Sequence, residues 1–227
     1  MVEDYLSDRE QEEALRRWWS ENWRWVVSGV ALGLAALGGW QYWQHRTQTR
    51  AEAAAQMYRD VSTALTAGDR SKADTLTQDL DKNYAGSPYV DQAHLLLAQA
   101  NVSEGKFEQA AGELKTVIDR TDDEVLQHIA QLRLARVQIQ LGHYDEALAL
   151  LDVDKAGAFV AQVHEIRGDA LLAKGDTSGA QQAYRLAIDA AKQAGGANAE
   201  LLQLKLQNIQ VPNAVPEQSK ATVSTGP

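Results

Sequence analysis

Four short stretches of this chain echo one another: AGDRSKA (67–73), EGKFEQA (104–110), LGHYDEA (141–147) and KGDTSGA (174–180). Each sets a glycine five residues ahead of an alanine. The glycines Gly68, Gly105, Gly142 and Gly175 follow one another at intervals of 37, 37 and 33 residues. These residue types give the pattern a mechanism. Glycine ends a helix by taking the left-handed backbone conformation that a Cβ resists. Alanine one turn into the next helix lets two backbones approach closely. Small residues also stand seven positions before three of the glycines, at Ala98, Ala135 and Gly168. A chain punctuated this way folds as a stack of helix–turn–helix units, because one unit alone cannot cover its own apolar face.

The interval is close to the 34-residue period of tetratricopeptide repeats. The expected units are about 53–88, 91–120, 128–152 and 161–193. The first is identified mainly by register, since Arg70 occupies the slot held by Phe107 and Tyr144 in the two central units; Thr177 holds it in the last. Turn and capping signals separate the units at Gly86-Ser87-Pro88, Thr121-Asp122-Asp123 and Asp154-Lys155-Ala156-Gly157. Gly195-Gly196 ends the last unit, and Asn198 is expected to cap a closing helix over 198–209. Its Leu201, Leu202, Leu204 and Leu206 would cover the open end of the stack. Residues 211–227 are polar and contain prolines, which predicts a disordered tail.

Ahead of the repeats, Trp25–Gln44 runs twenty residues without a charge. As a helix it measures about 30 Å, the thickness of a bilayer's hydrocarbon core. Trp18, Trp19, Trp23 and Trp25 precede or open it, and Trp40, Tyr42 and Trp43 close it, in the places where amphipathic rings favour the headgroup layer. Val26, Val27, Val30, Leu32, Leu34 and Leu37 contribute roughly −2 to −3.5 kcal/mol together on an insertion scale, and four glycines dilute them. Only Ser28 and Gln41 could supply the polar stripe of a soluble core helix. Ala51 and Ala53 form an A-x-A of the kind that signal peptidases cut, but behind His45, Arg46 and Arg50 and after a long acidic leader. The expectation is an uncleaved single transmembrane helix over 25–44, a head over 1–24 and a repeat domain over 45–210, and hence an all-α chain. The head should begin with a short helix through EQEEALRRWWSENW, capped at Ser7 or Asp8, with Leu15, Trp18, Trp19 and Trp23 on one face in the membrane interface. Four arginines stand on its side of the span against three on the other (Arg46, Arg50, Arg59), which favours a cytoplasmic N-terminus only slightly.

Composition removes several classes of function. The formal net charge is −9 with no basic stripe, so nucleic acid is not an expected partner. Without cysteine there are no disulfides, thiolate nucleophiles or thiolate metal sites. His45, His94, His128, His143 and His164 stand apart from one another, and His164-Glu165 lacks the second histidine of a zinc-protease helix. No phosphate loop, dinucleotide fingerprint or G-x-S-x-G elbow occurs, and Asp122-Asp123 sits where a helix cap is needed. Neither a catalytic residue, a metal nor a cofactor is expected; the chain does not read as an enzyme.

What remains is surface. Counted back from the turn glycines, the inner face of each first helix holds Leu95, Gln99 and Val102, then Leu132, Arg136 and Ile139, then Glu165, Asp169 and Leu172. Such a groove suits a helical or extended peptide. In the apolar run Gly29 and Gly33, extended by Ala36, form a small-residue face against which another membrane helix could lie.

The order of head, span and repeats resembles the family of ancillary SecYEG translocon subunits of Gram-negative bacteria, the YfgM-like proteins. The likeness is carried by ALRRWWSENW, GGWQYW, LRLARVQIQL (132–141) and EIRGDALLAKGD (165–176), and covers about residues 1–209. It implies an inner-membrane protein with a cytoplasmic N-terminus and a periplasmic repeat domain. Implied partners are the Sec channel subunits, a membrane-anchored periplasmic chaperone resembling a prolyl isomerase, other periplasmic chaperones and their client chains. It implies a role in handing translocated chains to those chaperones. An alternative implied by the same likeness is negative regulation of a stress response, through a cytoplasmic response regulator bound by the N-terminal segment.

Overall fold

A computed structural model describes residues 8–195 and 198–210. The Ser7 cap, Gly196 and the tail over 211–227 lie outside the described residues. Among these there are only helices: α1 (Asp8–Thr66), α2 (Arg70–Asn83), α3 (Pro88–Ser103), α4 (Phe107–Arg120), α5 (Glu124–Gln140), α6 (Tyr144–Ala149), a 3-10 turn (Gly157–Phe159), α7 (Val160–Lys174), α8 (Thr177–Gln193) and α9 (Ala199–Gln210). The chain divides into two compact units, with the boundary inside α1 between Gln56 and Met57.

In the first unit α1 is unbroken, where the sequence suggested a separate head helix before the apolar run. Polar residues ahead of the apolar run bond back into α1 and do not interrupt it. Ser20 Oγ donates to the Arg17 carbonyl at 2.8 Å and Asn22 Nδ2 to that of Trp18 at 2.9 Å. Thr47 and Thr49 do the same beyond the run, at 3.1 Å to Trp43 and 2.9 Å to His45. The large apolar side chains between them face outward: Trp25 is 79% exposed and Leu32 72%. Trp40 and Trp43 rest against each other with ring centres 5.8 Å apart. No helix among the described residues is long and apolar enough to cross a membrane. The shortfall is in apolar density: Gly29, Gly33, Gly38 and Gly39 replace larger side chains, and Gln41 and Gln44 end the run.

In the second unit successive helices pair through the four glycine turns. Gly68, Gly105, Gly142 and Gly175 have φ of +76°, +73°, +79° and +95°. Each turn closes with the same two bonds. The glycine N–H reaches the carbonyl three residues back, and the following N–H reaches five back, as in Gly142 to Ile139 at 3.1 Å and His143 to Gln138 at 2.9 Å. The alanines five residues on, Ala73, Ala110, Ala147 and Ala180, are fully buried. Asp69 and Asp176 then cap α2 and α8 by accepting from Lys72 and Gly179 at 3.1 and 2.9 Å. Ser87 caps α3 with Pro88 in its first turn, and Asp123 caps α5 through bonds from Val125 and Leu126.

The core is a series of clusters, one per interface. Ala98, Ala110, Leu114, Val117, Ala130, Leu134 and Val137 join α3, α4 and α5. Leu132, Ala135, Ala147, Leu151, Val163, Ile166 and Ala170 join α5, α6 and α7. Here α6 is only six residues long, and the chain leaves it at Leu151, whose carbonyl accepts from Arg167 Nη1 at 3.1 Å. The last cluster sets Tyr184, Ala187 and Ile188 of α8 against Leu202, Leu206 and Ile209 of α9. Only two of the four leucines expected to close the stack do so; Leu201 and Leu204 are exposed.

Candidate functional site

A concavity lies in the repeat unit where α3, α4 and α5 meet, with a volume of about 650 Å³. That is within the range of about 300–1,000 Å³ typical of ligand clefts. From α3 come Leu95, Ala98, Gln99 and Val102, and from α4 Phe107 and Leu114. Residues 95, 99 and 102 stand four and three apart, so they share one face of α3. From α5 come Arg133, Arg136, Val137 and Gln140, again at spacings of three and four. The walls are therefore aliphatic and aromatic, with two guanidinium groups and two amides along the rim.

Of the nine residues singled out for a groove, this cavity gathers Leu95, Gln99, Val102 and Arg136. The others lie elsewhere. Leu132 is buried between α5 and α7 and Ile139 packs against the same cluster. Glu165 and Asp169 hold Lys205 of α9, and Leu172 is exposed. The reason is that each first helix of a pair has two working faces. One turns back to the preceding pair and the other turns forward to the next. Leu132 and Ile139 are on the forward face of α5, whereas Arg133, Val137 and Gln140 are on its backward face. Counting equivalent positions from each glycine selects one face only, so it found the α3 wall and passed over most of the α5 wall. A search for the second set of three-and-four spacings along LRLARVQIQL would have found it.

Two polar clusters flank the cavity and fix the helices that form it. His94 of α3 is 7% exposed, with Nδ1 2.6 Å from Glu113 Oε2 and Nε2 3.2 Å from Asp81 Oδ2. Arg120 completes this cluster by pairing with Asp81 and donating to the Ala85 carbonyl at 3.2 Å. Burial by itself lowers the His94 pKa, but the hydrogen bond to Glu113 and the charges of Asp81 and Glu113 outweigh it and raise the value. On α2, Arg70 donates to Asn101 Oδ1 of α3 at 2.5 Å. His128 and His143 are engaged with backbone or amide oxygens, at 2.7 Å to the Lys155 carbonyl and 3.0 Å to Gln138 Oε1. No group of three or more His, Asp or Glu side chains among the described residues is placed to hold a metal ion.

A tetratricopeptide repeat-like domain model matches residues 16–211, most of the described chain. The ancillary SecYEG translocon subunit of Escherichia coli K12 is 35% identical over 210 residues, which are 92% of this chain and all of that protein. The chain belongs to the ancillary SecYEG translocon subunit family. Its counterparts of the same name in Aggregatibacter actinomycetemcomitans and Haemophilus influenzae are each 31% identical over 90% of this chain and 99% of theirs. A match over 92% of this chain takes in the apolar stretch as well as the repeats. The glycine turns and the α3–α5 cavity lie inside the matched region.

Proposed function

We propose that this protein is a non-enzymatic accessory subunit of the SecYEG channel, held in the inner membrane by residues 25–44 with its N-terminus in the cytoplasm and its repeats in the periplasm. The single observation that carries the reading is end-to-end similarity to proteins bearing that name, over 92% of this chain. The outward-facing Trp, Leu and Val side chains of α1 support a bilayer location, since so large an apolar surface is costly in water. The segment's modest apolar density fits a helix that lies against other membrane helices, with Gly29, Gly33 and Ala36 as the close-approach face. Outside the membrane the α3–α5 groove binds protein segments: the membrane-anchored chaperone, other periplasmic chaperones, or chains emerging from the channel.

The test is purification of the full chain from membranes in mild detergent after crosslinking in intact cells. Channel subunits should co-purify, and replacing Gly29 and Gly33 with leucine should lower their yield while leaving the protein in the membrane fraction. Recovery of the protein in aqueous extract, or repeated absence of channel subunits with the crosslinker present, would falsify the reading.

A further inference from the structure

The rim of the α3–α5 groove carries a charge that the rest of the groove does not answer. Arg133 and Arg136 stand one turn apart on α5, both exposed and both lining the cavity. Arg70, Arg120 and Arg167 each hold a carboxylate, an amide or a carbonyl within the fold. Among the described residues neither Arg133 nor Arg136 has such a partner, and Gln99 and Gln140 on the same rim have none either. The two arginines stand in a chain of net charge −9, where acids outnumber bases 31 to 22. Their spacing on one helix face keeps them at one edge of an apolar trough. A like-charged pair of this kind weakens an isolated helix slightly, so it needs a reason outside the helix.

We propose that the groove selects partner segments that set carboxylates beside apolar side chains, with Arg133 and Arg136 as the acid-reading pair. Leu95, Val102 and Phe107 take the apolar side chains, and Gln99 and Gln140 are free to bond the partner's backbone. Guanidinium forks grip carboxylates in two-point fashion, which gives orientation as well as attraction. The inference deepens the groove-binding part of the proposed function and rests on it.

A random peptide library displayed on phage, panned against the full-length protein in detergent, tests both separately. The wild-type protein should enrich sequences that place Glu or Asp next to Leu, Ile or Phe. A synthetic peptide of an enriched sequence should bind at least about tenfold more weakly once its acids become Gln, or once salt rises from about 0.1 to 0.5 M. R133E/R136E should turn the enrichment towards Lys and Arg. Circular dichroism of that variant should match wild type, because both residues are exposed. L95D/V102D should lose enrichment altogether. Enrichment of apolar sequences with no acidic bias, or the same sequences on wild type and R133E/R136E, overturns the acid-reading pair and leaves the groove standing. Enrichment that survives L95D/V102D, or none on wild type, overturns the groove as well. Recovery of sequences matching this chain's own acidic head would mean that a second copy is the occupant, and would overturn the proposal of a separate partner.

Discussion

Lys205 Nζ lies 2.8 Å from Asp169 Oδ1, and the same ammonium is 2.8 Å from Glu165 Oε1, so one charge on α9 holds two carboxylates of α7. The Tyr184 hydroxyl of α8 donates to that Asp169 oxygen at 2.5 Å, and Lys205 stands 5.8 Å from the centre of the Tyr184 ring. Burial lowers the Lys205 pKa, but the bonds and charges of Asp169 and Glu165 overcome it and raise the value. Three helices are thereby joined at the end of the stack, where a solenoid has no further repeat to cover it.

Replacing Lys205 with Met should free that end. Two carboxylates would face each other without their cation, at a site whose side chains are between 17% and 30% exposed. Fully buried pairs cost about 3–5 kcal/mol when broken, and solvent here reduces that to about 1–2 kcal/mol. Hydrogen exchange should show faster exchange through α9 and the facing side of α8, with α3 and α4 unchanged. Uniform acceleration across all helices would contradict a local latch.

Gly168 packs directly against the Tyr184 ring, so α7 has no room there for a side chain. A Cβ there would lie 2.7 Å from Cε1 and 2.8 Å from Cδ1 of Tyr184. The ring has little room to yield, being 1% exposed and tied to Asp169 through its hydroxyl. Gly168→Ala should therefore destabilise the protein by about 1–3 kcal/mol, the usual cost of overfilling a core, even though alanine is the better helix former. Tyr184→Leu should lower the added cost of the alanine, giving a coupling in a double-mutant cycle of thermal unfolding. Additive effects would place the strain elsewhere.

The turns were legible because they are local. A left-handed glycine, a cap and a buried alanine fall within six residues, and nothing distant is needed to specify them. That the head helix continues into the apolar run was not, because Ser20 and Asn22 have two uses. As N-caps they open a new helix, and as back-bonding residues they sit inside one; the choice depends on whether the upstream residues continue the helix. Most of the α5 wall of the groove was missed for a different reason. Leu132 and Arg133 differ only in which neighbour their face meets, and that is fixed by the packing of α4 and α7, not by spacing within α5. The contact of Lys205 with Asp169 spans 36 residues and is set by where α9 docks.

His94 should make stability depend on pH in the direction opposite to an ordinary buried histidine. Its partners are Asp81 of α2 and Glu113 of α4, with Arg120 paired to Asp81. The folded-state pKa is raised above the ordinary value of 6.5, so the folded form binds the proton more tightly than the unfolded chain. The stabilisation is complete below about pH 6.5 and disappears as pH rises through the raised folded value. Melting temperatures of wild type and His94→Asn, compared between about pH 6 and pH 9, should differ more at the acid end. A difference that grows towards alkaline pH would show that burial, and not the two carboxylates, governs this side chain.

Gly142 offers the cleanest test of the repeat logic, because an added Cβ meets nothing within 4 Å and only the backbone objects. At a φ of +79° a non-glycine residue loses about 1–2 kcal/mol. Alanine recovers about 0.4–1 kcal/mol by restricting the unfolded chain, so Gly142→Ala should cost about 1 kcal/mol net. Asparagine tolerates the left-handed region better, and Gly142→Asn should cost less than Gly142→Ala in the same denaturation series. If alanine and asparagine were equally costly, the position would be limited by space around the side chain. In that case Ala147, fully buried five residues on, would be the residue that sets the approach of α5 and α6.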